Sequence, residues 1–500
     1  MSEFALKTAL PAYLREEQGR IEKLAAQAGL DFFPTVFEIL TYDQMNEIAA
    51  YGGFPNRYPH WRFGMEYERL SRSAEYGLSR IYELVINNDP SYAYLQASNM
   101  DVDQKLVMAH VFGHADFFKH NYAYRHTNRK MMDAMANHAT RLRRHQDRLG
   151  VEAVETFVDR CLSLENLIDP LSPFVKRRAD RSEPGAEDRP VALGFRTDRE
   201  YMRHFINPPA ALAAEQERLD AAAGQPRRLP ERPERDVLLF LLERAPLERW
   251  EQEVLGIVRD EAYYFAPQAQ TKIMNEGWAT YWHSRIMTER ALDPSEVVDY
   301  ADHHSGALSL QPGQLNPYRL GVELWRDIED RWNKGRFGKE YEACDSLEEL
   351  RRWDRRLGLG QQKIFEVRRH HTDVSFVDEF LTLDFCVAQG LFSFGYSPQH
   401  ARWEVQSREF AAVKERLLRQ LTNFGQPEIL VEDGNHENRG ELLLVHRHDG
   451  VDLKLDWARA TLRALQALWR RPVSLSTRVE GRGALLRHDG REATTRRQEP

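Results

Sequence analysis

Over the first 170 or so residues, apolar positions recur mostly three and four apart, the spacing of helices with one buried face. The opening stretch, MSEFALKTALPAYLREEQGRIEKLAAQAGL, has this pattern with charges on the other face, so it reads as an amphipathic helix. Aromatic-rich connections interrupt the helices. In Tyr51 to Leu70 (YGGFPNRYPHWRFGMEYERL), Gly52, Gly53, Pro55 and Pro59 forbid a regular helix. The aromatics and arginines there predict an ordered loop packed on the core. Between about Lys176 and Pro233 the aliphatic residues thin out. KRRADRSEPGAEDRP and GQPRRLPERPER read as exposed linkers around one amphipathic patch, Tyr201 to Phe205. The helical period returns in DVLLFLLERAPLERWEQEVLGIVRDEAYYF, two helices broken at Pro246, and runs through TKIMNEGWATYWHSRIM to about Leu357. FVDEFLTLDFC, Phe376 to Cys386, again has the texture of structure.

From about residue 425 the period changes to two. ILVEDG, ELLLVHRHDGVDLKL and PVSLSTRVEG predict strands, with Asp449-Gly450 as a hairpin tip and Trp457 to Arg470 as an intervening amphipathic helix. The expected fold is therefore mainly α: a large helical N-terminal domain, zincin-like in its logic, with a small α+β C-terminal domain. The expected boundaries are a helical domain over 1–175, an Arg/Pro-rich linker or insertion over 176–233, a helical continuation of the same core over 234–424, the α+β domain over 425–485 and a disordered tail over 486–500. There is no internal repeat.

Composition narrows the function classes. Of 500 residues, 42% are hydrophobic and 29% charged, an ordinary globular balance, and the formal charge of −8 argues against general nucleic-acid binding. Three widely spaced cysteines, Cys161, Cys344 and Cys386, make neither a disulfide framework nor a metal knuckle. No apolar run approaches the roughly 20 residues of a membrane span, and the N-terminus lacks the apolar core of a signal peptide. The expectation is a soluble, cytoplasmic protein.

Candidate chemistry centres on AHVFGH. On a helix, His110 and His114 lie one turn apart on one face, so both imidazoles can reach one cation. Gly113 lets a neighbour approach closely. A carboxylate from a second helix would complete the set, and Glu276, beside the small Gly277 and Ala279, is the candidate. Two histidines and a carboxylate suit zinc with an open position, and the same set holds iron or manganese. Val111 stands where helix-borne H-E-x-x-H hydrolases carry their general base. The base would then come from His304, His283 or Asp116. Glu276 and His283 are seven residues apart, about 10 Å along a helix, so only one of them can be a ligand. The bland alternatives are core histidines with satisfied hydrogen bonds, a Glu276 salt bridge to an arginine and, for the i, i+4 pair Asp116 and His120, a hydrogen bond at the surface or behind the ligands. His303 and His304, after Asp299, would supply a fourth ligand or a proton shuttle.

The stretches AHVFGHADFFKHN, EAYYFAPQAQTKIMNEGWATYWH, YADHHSGALSLQPGQLNPYRLGVELWRDIEDRWNKGRFG and YGGFPNRYPHWRFGMEYERL closely resemble the SpoVR family, named for a stage V sporulation protein. The resemblance covers roughly residues 10 to 480 apart from the Arg/Pro-rich insertion. It implies a cytoplasmic bacterial protein linked to spore cortex formation or stress physiology, with a PrkA-type serine kinase and a von Willebrand factor A-like protein as partners. Three readings stand: from the ligand set, a zinc-dependent hydrolase of an amide or peptide-like substrate; a non-catalytic regulatory or scaffold protein working with those partners; and, from the same ligands, an iron oxygenase, whose usual β-barrel scaffold this helical chain lacks.

Overall fold

The computed structural model describes residues 10–75, 84–175, 192, 194–195, 202–223, 228–309, 315–397 and 402–497. Of the expected Arg/Pro-rich linker over 176–233, residues 176–191, 193, 196–201 and 224–227 lie outside the described residues. Where it is described, the Ala-rich stretch Pro209–Ala223 forms a helix. That corrects the expectation of bare linker, because a run of strong helix formers needs no apolar stripe to coil. The chain divides into two compact units, residues 1–158 with 260–426, and residues 159–259 with 427–500.

The first unit is built around one helix, Asp101–His120, hereafter the His helix. It is buried without interruption from Val102 to Phe118, as expected of a helix surrounded by others. Among the elements packed on it are the N-terminal helix Ala12–Gln27, the helix Lys272–Ile286 (the Glu helix), the helix Gly360–His370 and the strand Ser91–Gln96. The Glu helix packs in turn on Pro317–Lys334. A small sheet of β1 (Thr35–Leu40), β2 (Leu84–Ile86) and β3 (Ser91–Gln96) has the order β1-β3-β2, parallel between β1 and β3 and antiparallel between β3 and β2. These strands depart from the expected all-helical pattern here, because β2 is short and β1 and β3 do not alternate buried and exposed positions. The loop at 51–60 is ordered as expected, with Phe54 and Tyr58 buried, but the helix Trp61–Glu75 begins directly after it. A hairpin, β4 (Ser393–Ser397) and β5 (Arg402–Ser407), lies late in this unit.

The second unit carries a five-stranded sheet in the order β10-β9-β8-β7-β6. Its strands are β6 (Ile429–His436), β7 (Glu441–His446), β8 (Val473–Val479), β9 (Arg482–His488) and β10 (Ala493–Arg497). β7 and β8 pair in parallel through the crossover helix Leu455–Trp469, and the other pairs are antiparallel. Asp449-Gly450 is therefore no hairpin tip. It lies between β7 and the crossover helix, and the hairpin of β6 and β7 turns at 437–440. The tail is also corrected: Ala493–Arg497 pairs with β9 across the Asp489 turn, whose carboxylate accepts from the Arg491 and Glu492 amides. Two β-branched threonines on an exposed edge outweigh the charge of the segment. Phe240, on helix Val237–Arg244, stacks on Trp469 at 5.7 Å between ring centroids. The fold class expected from sequence, mainly α with a small α+β C-terminal region, is the one observed.

Candidate metal centre

Glycine sets how closely the two site helices meet. A Cβ at Gly113 would lie 2.7 Å from the Ala279 Cα, so the His helix and the Glu helix touch backbone to backbone there. On the far side of the Glu helix, Gly277 meets Gly321: a Cβ at Gly321 would lie 2.7 Å from the Gly277 Cα. Both contacts put the Glu helix at a separation that larger residues would forbid. The N-terminus of the Glu helix has no cap from its own Thr271 side chain, which bonds Pro267 O and Tyr124. Asp373, a hundred positions on, accepts from the Ile273 and Met274 amides at 2.8 and 2.9 Å. Orphan amides of the first turn are thus satisfied just ahead of Asn275 and Glu276.

His110, His114 and Glu276 converge, with one ligand atom of each within 4.8 Å of the others. Glu276 Oε2 lies 3.4 Å from His114 Nε2 and 3.7 Å from His110 Nε2. A charge-assisted N–H···O⁻ bond would draw such atoms to about 2.7–2.9 Å. Ligands at tetrahedral angles around zinc, about 2.0–2.2 Å from the ion, stand roughly 3.3–3.5 Å apart. The separations suit a shared cation better than direct bonds. Glu276 Oε2 is also buried without a hydrogen-bond partner of ordinary geometry among the described residues. Such an atom is costly in an apolar interior unless a cation is its partner. Burial pushes the Glu276 carboxyl up, but the His110 and His114 imidazoles prevail and hold it well below the usual carboxylate range. Its contacts here are imidazoles, not an arginine.

Neighbouring groups extend the set. His114 Nδ1 lies 2.9 Å from Asn275 Oδ1, and His110 Nδ1 lies 2.8 Å from His283 Nδ1. His283 Nε2 continues to His304 Nδ1 at 3.1 Å. His110 and His283 are buried, whereas His304 is half-buried and stacks on Tyr300. Burial, then the charges of His110, His304 and Arg326, holds His283 well below the ordinary histidine range. Burial and Arg326 lower His304 as well. The helix Val297–Ala307 that carries His304 is fastened to the His helix by Lys105, which pairs with Glu296 at 2.9 Å and Asp293 at 3.4 Å, and by Asp103, which pairs with His303.

The expected residues therefore separate into groups. His110, His114 and Glu276 come together. His283 and His304 form a chain leading from His110, and neither joins the ligand group. Asp116 is committed elsewhere, bound to Arg368, to Trp278 Nε1 at 2.9 Å and to the Asp31 amide at 2.9 Å. The expected Asp116–His120 hydrogen bond does not form: Asp116 is buried, and His120 bonds Asp31 instead. His303 faces Asp103 and not Asp299. Asn275 and Asp373 went unnoticed in the sequence. An amide beside a glutamate and a distant acid have no diagnostic spacing, although Asn275 stands inside the NEGWA stretch.

Fold and site together describe a mainly helical protein with a two-histidine, one-carboxylate cluster between two closely packed helices, followed by a small α+β unit. The chain belongs to the SpoVR family. The family model for SpoVR like protein matches residues 9–426, which contain the whole cluster, and that for the SpoVR-like C-terminal domain matches 427–480. The junction at 426/427 is also where the second unit resumes. Among curated proteins the chain is similar to "Uncharacterized protein YcgB" of Escherichia coli (strain K12), 33% identical over 337 residues. That match covers 64% of this chain and 63% of the relative, less than two thirds of its length. No solved structure matches. Among the described residues no helix is long and apolar enough to cross a membrane.

Proposed function

We propose that the chain is a metal-dependent hydrolase, with zinc as its cation, acting on an amide or peptide-like bond. The observation that carries this reading is the three-ligand cluster: His110, His114 and Glu276 group together, and among the described residues no fourth His, Cys, Asp or Glu joins them. Three protein ligands leave a position for water or substrate, as in zincin-like sites, whereas structural zinc sites close with four. Iron or manganese suits the same donors. When bound, zinc supplies Lewis acidity towards a carbonyl oxygen and acidifies a water ligand to a pKa of roughly 7. Two neutral imidazoles and one carboxylate leave a net positive charge on the site. His304, the half-buried outer end of the histidine chain, is assigned the exchange of that chain's protons with solvent through Nε2, the ring nitrogen outside the chain. Both ring nitrogens of His283 are already engaged, and Asp116 is held by Arg368.

A second reading is favoured by one observation: Val111 is buried where a helix-borne base would stand. Here the protein is a cytoplasmic regulatory or scaffold protein that binds metal without turnover and acts with a PrkA-type kinase and a von Willebrand factor A-like partner. Full-length protein loaded with zinc and given a panel of fluorogenic peptide amides separates the two. The hydrolase reading expects turnover that is abolished in His110→Ala. It also expects turnover to fall in His304→Gln with zinc retained, because the hydrogen-bond chain behind His110 loses its outer end. Turnover no higher than that of His110→Ala, with zinc bound to the wild type, contradicts it and leaves the second reading.

A further inference from the structure

We propose that Asn275 and His283 are positioning residues that fix the tautomers of the two ligand imidazoles, so that one helix supplies both a ligand and the supports of the other two. The assignment rests on the metal reading above. An imidazole ligates through an unprotonated nitrogen, so its proton must sit on the other nitrogen and meet an acceptor.

For His114 the acceptor is Asn275 Oδ1, 2.9 Å from Nδ1. A carbonyl oxygen only accepts, so the proton sits on Nδ1 and the Nε2 lone pair faces Glu276 Oε2. For His110 the partner is another imidazole, with His283 Nδ1 2.8 Å from His110 Nδ1. Two ring nitrogens at that distance share one proton. With Nε2 of His110 on the cation, its Nδ1–H donates and His283 Nδ1 accepts. The His283 proton then sits on Nε2, which donates to His304 Nδ1 at 3.1 Å. His304 in turn carries its proton on Nε2. Ligation by His110 thus sets three tautomers in line, each donating away from the site. Were His283 to donate instead, the His110 proton would move to Nε2 and occupy the position the cation needs.

Asn275, Glu276 and His283 all belong to the Glu helix, while both ligand histidines belong to the His helix. The backbone approach at Gly113 and Ala279 therefore sets the lengths of these support bonds as well as the ligand spacing. The supports also differ in kind. Asn275 is a neutral amide that cannot remove a proton from His114. His283 belongs to a chain whose outer end, His304, is half-buried.

The test uses full-length protein, with Co²⁺ as a spectroscopic probe and Zn²⁺ affinity read by competition with a chromophoric chelator. Asn275→Ala and His283→Ala should each weaken Zn²⁺ binding about ten- to a hundredfold and alter the Co²⁺ ligand-field spectrum. His283→Asn, which returns an acceptor oxygen near the Nδ1 position, should recover most of the loss. Asn275→Asp should tighten binding, because a carboxylate acceptor raises the basicity of His114. That variant keeps the assignment open to refutation should an alanine variant fail to fold. Folded alanine variants with wild-type affinity and an unchanged spectrum overturn the assignment alone, as does Asn275→Asp with unchanged or weaker affinity. Wild type that takes up neither ion overturns the metal reading and this assignment with it.

Discussion

Gly277 lies where the Glu helix crosses Pro317–Lys334, and a Cβ there would strike the backbone of Gly321. Neither wall is a flexible side-chain end, so a methyl group can be accommodated only by moving a helix. Gly277→Ala should cost about 1–3 kcal/mol in a urea titration, despite the better helix propensity of alanine. It should also lower Zn²⁺ affinity, because the neighbouring Glu276 moves with its helix. An alanine variant as stable as wild type and equal in Zn²⁺ affinity would contradict the close-contact account. At this scale much was legible beforehand. The i, i+4 histidines, Gly113 between them and Glu276 beside small residues all carry their meaning in local spacing. Asp373 does not, because its role as a cap for Ile273 and Met274 exists only after the chain has folded back over a hundred positions.

Elements were legible where one period held for several turns and obscure where it did not. The His and Glu helices and the crossover helix Leu455–Trp469 follow their patterns, while β2 and β10 are short and β1 and β3, as long as β7, lack an alternation of buried and exposed positions. The Asp449-Gly450 signal was real as a turn and wrong as a hairpin, since the parallel pairing of β7 with β8 is a long-range choice. That sheet makes a pH prediction of its own. His446, at the end of β7, bonds Thr477 Oγ1 on β8 at 2.8 Å. Burial, then His448, holds it below the ordinary histidine range, against the opposite pull of Asp449 and Asp452. In the unfolded chain His446 takes up a proton as pH falls through about 6.5, and the folded sheet resists doing so. Its contribution to stability is therefore complete above that pH and declines as pH falls, until the folded histidine itself protonates. Hydrogen exchange should show protection of β7 and β8 falling between pH 7.5 and 5.5, after correction for intrinsic rates, with a smaller fall in His446→Gln. An equal fall in the variant would assign the effect elsewhere.

At the scale of the whole molecule, the SpoVR family model and the first compact unit share the junction at residue 426, and the ligand cluster lies wholly within that unit. The family was legible in long motifs. The composition of the second unit was not, because residues 159–259 join a sheet formed more than 160 positions later. The claim on which the functional reading depends is that His110, His114 and Glu276 hold one cation. Metal content of full-length protein, produced with zinc available and measured by elemental analysis, tests it most directly when His110→Ala and Glu276→Gln are measured beside the wild type. A shared cation at these three residues gives about one zinc per chain in the wild type and a marked loss in both variants. Wild type without stoichiometric metal, or variants that retain it in full, would contradict the account.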